Sequence, residues 1–150
     1  YGFILGAPIV GKVSDLLGGE IKKIMIFASS GYAVIWLYIL VIFKGQPPEN
    51  QWPILFFLMG IMIICHILVF SNVKNINPLK YTGIAVSVVN IGEFVGSGLI
   101  SMTMGFLIKR LKNSAYSMEE IFKIAMILVL VSAILSFIAV LFLNDKERIE

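Results

Sequence analysis

The sequence predicts an all-α integral membrane protein, a polytopic bundle of helices, and three observations predict it. Hydrophobic residues make up 59% of the 150-residue chain and charged ones 14%, with a mean hydropathy of +0.95. A soluble domain is about 45–50% apolar and about 25% charged. Apolar runs long enough to cross a bilayer occur four times, and the charges collect in the short stretches between them. Helices follow because lipid offers no partner for an unpaired backbone group.

The elements can be justified in chain order. Residues 1–10 are apolar but shorter than the ~20 residues that a span needs, and read as the end of a helix that begins earlier. The run 24–43 is uncharged over 20 residues, or about 30 Å of helix. The run 53–73 opens on Pro53, where a missing N–H costs nothing. The run 83–108 is interrupted by one acid, Glu93. The last, 118–143, begins behind Ser117-Met118-Glu119-Glu120, a capping-box pattern, and Lys123 lies close enough to its start to snorkel out.

Short connections at 44–51, 74–82 and 109–116 force antiparallel neighbours. Residues 11–23, 74–82 and the tail 144–150 therefore share one side and carry seven Lys/Arg, against five for the other side. The positive-inside rule puts loop 11–23 and the C-terminal tail in the cytoplasm. The net charge of +3 and pI near 9.0 reflect this loop bias rather than a nucleic-acid surface. With one cysteine, Cys65, and one histidine, His66, no metal site is expected. LLGGEIK lacks the context of a phosphate loop, and no nucleophile is paired with a base. No cofactor and no enzymatic activity are expected.

Between the first two apolar stretches lies GKVSDLLGGEIKK, in which Gly11, Asp15 and Gly18 have the spacing G-x-x-x-D-x-x-G. This resembles the cytoplasmic loop motif of major facilitator superfamily transporters, although Lys22 and Lys23 arrive two positions later than the family's basic pair. The resemblance implies a latch in which Asp15 is the acid, Gly11 and Gly18 are packing positions, and Lys22 and Lys23 hold the turn at the membrane face. The stretch 77–109 is similar to the eleventh helix of the same superfamily, with Pro78, Lys80, Gly83, Asn90, Gly96 and Gly105 in order. Together these imply the C-terminal half of a twelve-helix transporter, from the end of the eighth helix to the twelfth. The implied partners are a small-molecule solute, the lipid bilayer and an N-terminal helical bundle of the same polypeptide.

Within the spans, Glu93 is the most informative residue, because a charge at the bilayer centre costs about 2.5–3.5 kcal/mol. At about 100° per residue, Ser87, Asn90, Glu93 and Ser97 fall within an arc of roughly 120°. Gly92 and Gly96 lie nearly opposite, where small residues permit close helix approach, and Gly105 extends the packing set. Glu93 then either carries a proton across the membrane, since desolvation disfavours a lone carboxylate, or stays ionised against a cationic solute or a base elsewhere. A structural acid bonded to Asn90 is the plainer alternative. His66 is a second pathway candidate, though no polar stripe accompanies it. Ser29, Tyr32 and Trp36 share a helical spacing suited to a cavity wall, with packing the simpler reading. The sequence thus points to secondary transport of a small solute across the cytoplasmic membrane, possible proton coupling included. A membrane scaffold or a transporter-like solute sensor stays open.

Overall fold

A computed structural model describes residues 1–143. The tail 144–150, expected on the cytoplasmic side, lies outside the described residues. All regular structure among the described residues is helical: α1 (Gly2–Leu16), α2 (Ile21–Leu37), α3 (Trp52–Ile64), α4 (Ile67–Ile76), α5 (Thr82–Leu111) and α6 (Met118–Leu141). Among the described residues, four stretches are long and apolar enough to cross a membrane: Ile21–Ile42, Glu49–Ile76, Leu79–Leu111 and Met118–Leu141.

Two of these differ from the sequence expectation in ways that matter. The run 53–73 is not one uninterrupted helix. It breaks at Cys65–His66, where the backbone N–H groups of Cys65 and His66 bond to the carbonyls of Met62 and Ile63, three residues back. A regular α-helix reaches back four. At the other boundary, α2 ends in a wide π-turn over Tyr38–Ile42, whose Phe43 N–H reaches back five residues to Tyr38.

The stretch expected to be a loop at 11–23 is mostly helical. Gly11 and Asp15 belong to the last turns of α1, and Lys22 and Lys23 to the first turn of α2. Only a tight turn separates them, with Gly18 at φ +64 and Gly19 at φ +80. These are left-handed conformations that an L side chain resists. Gly11 and Gly18 were expected to be close-packing positions, yet a Cβ at either would meet nothing within 4 Å. Gly18 is required by backbone conformation instead.

Close packing is made by other glycines. A Cβ on Gly2 would collide with the Phe57 carbonyl oxygen, and one on Gly60 would come within 2.8 Å of the Phe3 nitrogen. A Cβ on Gly6 would lie 2.7 Å from Ile64. Glycine lets α1 and α3 touch backbone to backbone, which is how apolar helices gain contact where lipid competes for side chains. The core forms two clusters. One joins Val10, Ile24, Met25, Ile64, Leu68 and Val140; the other joins Ile39, Leu55 and Met59 beneath Trp36 and Trp52.

The connections between helices confirm which ends lie together. Gln46, between α2 and α3, donates its Nε2 to Glu119 Oε2 at 2.7 Å, at the head of α6. The capping box at that head is complete: Ser117 Oγ accepts from the Glu120 backbone, and Glu120 accepts from the Ser117 N–H at 2.8 Å. At the opposite end, Val140 of α6 packs with Val10 and Ile21 beside the glycine turn.

Candidate functional site

The break between α3 and α4 positions His66. Its backbone N–H bonds to the Ile63 carbonyl at 3.0 Å, and its ring Nδ1 lies 2.6 Å from the same oxygen. A carbonyl oxygen only accepts, and has two lone pairs to do so, so Nδ1 must carry a hydrogen. The other ring nitrogen, Nε2, lies 3.1 Å from Glu93 Oε1 on α5. The two residues that the sequence singled out separately are therefore partners, joining the broken span to the long one. The acid's bond is to His66, not to Asn90.

Around α5, the partly buried positions Ala85, Val89, Gly96, Ile100 and Met104 mark the face turned towards the other helices. Glu93 lies near the middle of that face by helical spacing. Ser87, Asn90 and Ser97 do not join it. Ser87 Oγ donates to its own helix at Gly83, and Ser97 Oγ to Phe94. Asn90 is exposed and makes no side-chain hydrogen bond among the described residues. The predicted polar stripe thus lies to one side of the pair, uncovered by any described helix. Gly92, Gly96 and Gly105 were expected to pack, but a Cβ at any of them would meet nothing within 4 Å. Their close approach is not made within these helices.

Two hollows meet at His66. One, of about 340 Å³, lies among α2, α3, α5 and α6, and its polar lining is Ser29, Tyr32, Ser132, Ser136, Cys65 and His66. The other, of about 230 Å³, is a groove between α4 and α5 lined by His66, Val69, Phe70, Val89, Gly92 and Glu93. Ser29 and Tyr32 thus line a cavity, whereas Trp36 packs into the second core cluster with its Nε1 buried and unpartnered among the described residues. Sequence reasoning missed Ser132 and Ser136, although their i, i+4 spacing puts them on one helical face. Phe3 of α1 lies beside the imidazole with ring centroids 6.4 Å apart.

The remaining predicted residues stand apart from this site. Asp15 makes no side-chain hydrogen bond or ion pair among the described residues, so the expected latch contact is not formed within them. Lys23 pairs with Glu20, the residue just before α2. No group of three or more metal-ligating side chains occurs among the described residues.

Four membrane-length helices with an imidazole–carboxylate pair held between two of them define a polytopic membrane protein with a polar centre at lipid depth. The family model of the Major Facilitator Superfamily matches residues 1–150. The chain belongs to that superfamily, and is a transporter component of the major facilitator kind. Neither the search of curated proteins nor that of solved structures found a match.

Proposed function

We propose that the chain is the C-terminal part of a secondary transporter, from the end of its eighth helix to its twelfth. It moves a small solute across the cytoplasmic membrane by alternating access, coupled to protons. The observation that carries this reading is the His66–Glu93 pair at 3.1 Å, joining two membrane-length segments. Ionisable residues at lipid depth are expensive and are retained where they bind or relay charge. Their exposed fractions, 41% and 46%, leave the pair accessible from outside the described helices. A second helical bundle of the same polypeptide covers the uncovered side, so that Ser87, Asn90 and Ser97 face the solute path between bundles. In this reading Gly105, on the same side of α5 as Ser87, admits that bundle closely, and Asp15 with Lys22 and Lys23 forms the cytoplasmic latch against it. Loop 11–23 and the tail then lie in the cytoplasm.

The test uses the full-length native polypeptide in liposomes with a trapped pH-sensitive dye. Hexoses, amino acids, carboxylates and organic cations are added one class at a time. One class should drive proton movement in the wild type, and Glu93→Gln should abolish that movement while solute exchange persists. Solute exchange without proton movement in the wild type would refute coupling. Failure of every class to move or exchange would overturn transport in favour of sensing or scaffolding.

A further inference from the structure

We infer that His66 and Glu93 hold one proton between them and exchange it only through Nε2 and the carboxylate, making the pair a single-ended proton carrier placed where two cavities meet. The inference rests on the proton-coupled reading for its purpose, but its chemistry stands on the local geometry. Because Nδ1–H is bound to the Ile63 carbonyl, a bare Nε2 would aim a lone pair at Glu93 Oε1 across 3.1 Å. A carboxylate oxygen there would repel it. One proton must therefore lie between the two atoms.

That proton has two positions. In one, Nε2–H donates to an ionised carboxylate and the ring is an imidazolium. In the other, the Nε2–H bond has broken, an O–H bond has formed on Glu93, and both partners are neutral. The pair is neutral overall in either state. Losing the proton leaves a net charge of −1, with no Lys or Arg lining either hollow among the described residues. The other titratable groups there are Tyr32 of α2 and Cys65, both on the larger cavity. Phe3 of α1 brings no charge, α6 contributes Ser132 and Ser136 as its polar groups, and α4 and α5 contribute none besides Glu93.

A histidine in a proton wire usually gains a proton at one nitrogen and releases it from the other. Here the Ile63 carbonyl closes one end. Arrival and departure must both use the Nε2 side, so the proton passes to whichever hollow that side faces. Glu93 lines the smaller groove, while the larger cavity is suited to hold water beside the ring. Ser29 and Ser132 donate to their own helices at 2.7 Å, leaving lone pairs free. The hydroxyls of Tyr32 and Ser136 make no hydrogen bond among the described residues. A volume of about 340 Å³ with such a lining can hold several waters, each needing about 30 Å³ and two or more polar partners.

The experiment is nitrogen-15 NMR of ring-labelled histidine in the purified full-length protein, with the His66 signals assigned by their loss in His66→Gln. Nδ1 should stay protonated at every pH at which the protein is folded. In Glu93→Gln, whose amide cannot share the proton, the Nε2 signal should move at fixed pH while the Nδ1 signal stays that of a protonated nitrogen. A neutral ring with a bare Nδ1 would overturn the inference, and this outcome is read from the wild type even if Glu93→Gln fails to purify. An Nε2 signal unchanged in Glu93→Gln would also overturn it. For the cavity, Ser136→Cys in a Cys65→Ala background should react with a charged methanethiosulfonate, and absence of labelling would refute hydration. None of these readouts needs a solute, so they fail or succeed separately from the flux screen.

Discussion

Replacing Gly2 by Ala tests the backbone contact between α1 and α3. The added Cβ would collide with the Phe57 carbonyl oxygen and lie 2.9 Å from its carbonyl carbon. Ordinary contact begins near 3.4 Å, so the helices must separate by at least ~0.5 Å at this point. Overpacking of this kind costs about 1–3 kcal/mol. Exchanging glycine for alanine inside a helix returns about 0.8–1 kcal/mol. A net loss of up to about 2 kcal/mol lowers Tm by up to about 8 °C on the scaling for domains of this size. Gly60→Ala should act similarly, since its Cβ would meet Phe3 and Gly2 at 2.8 and 3.2 Å. Both substitutions force the same helices apart, so the double variant should lose less than the sum. Gly11→Ala is the control, on the same helix but with nothing within 4 Å. A thiol-reactive fluorogenic dye provides the assay, because Cys65 is buried and is uncovered on unfolding. A Gly2→Ala Tm equal to that of Gly11→Ala, or strict additivity with Gly60→Ala, would refute the close-contact reasoning.

Three further outcomes are expected. At φ +64, Gly18→Val should cost about 1–2 kcal/mol through backbone strain alone, and Gly18→Asn less, because asparagine tolerates the left-handed region; equal melting curves would show that the turn relaxes. Ser117→Ala should remove about 1 kcal/mol with the loss of the α6 cap, and Ser117→Asp should recover most of it; a failure of Asp to rescue would assign the loss to something other than the cap. Gln46→Cys and Glu119→Cys in the full-length protein should be joined by a short bis-thiol crosslinker, given the 2.7 Å bond between the native side chains. Mass spectrometry that found only singly modified cysteines would refute the shared side of these loops.

The parts of this structure that lipid dictates could be read from the sequence, and the parts set by helix rotation could not. Bilayer thickness fixes the length of an apolar run, so four spans were legible, as was the cap at Ser117. The break at Cys65–His66 carries neither proline nor glycine, so nothing in the residue types announced it. His66 and Glu93 were each legible as costly residues at depth. Their pairing was not, because a partner on another helix depends on how both are turned about their axes. Treating Ser87, Asn90, Glu93 and Ser97 as one stripe put Glu93 with the uncovered face, when it sits at the stripe's edge and is reached by α4. The glycines make the same point more sharply. Gly2-x-x-x-Gly6 and Gly92-x-x-x-Gly96 are equal as patterns, yet the first presses against α3 while a Cβ on either glycine of the second would meet nothing within 4 Å. Such a pattern records that a helix can be approached closely. Which neighbour uses the opening is decided by the rest of the bundle. Gly96→Ala in the full-length protein should lower Tm if another helix packs there, and raise it slightly through helix propensity if none does.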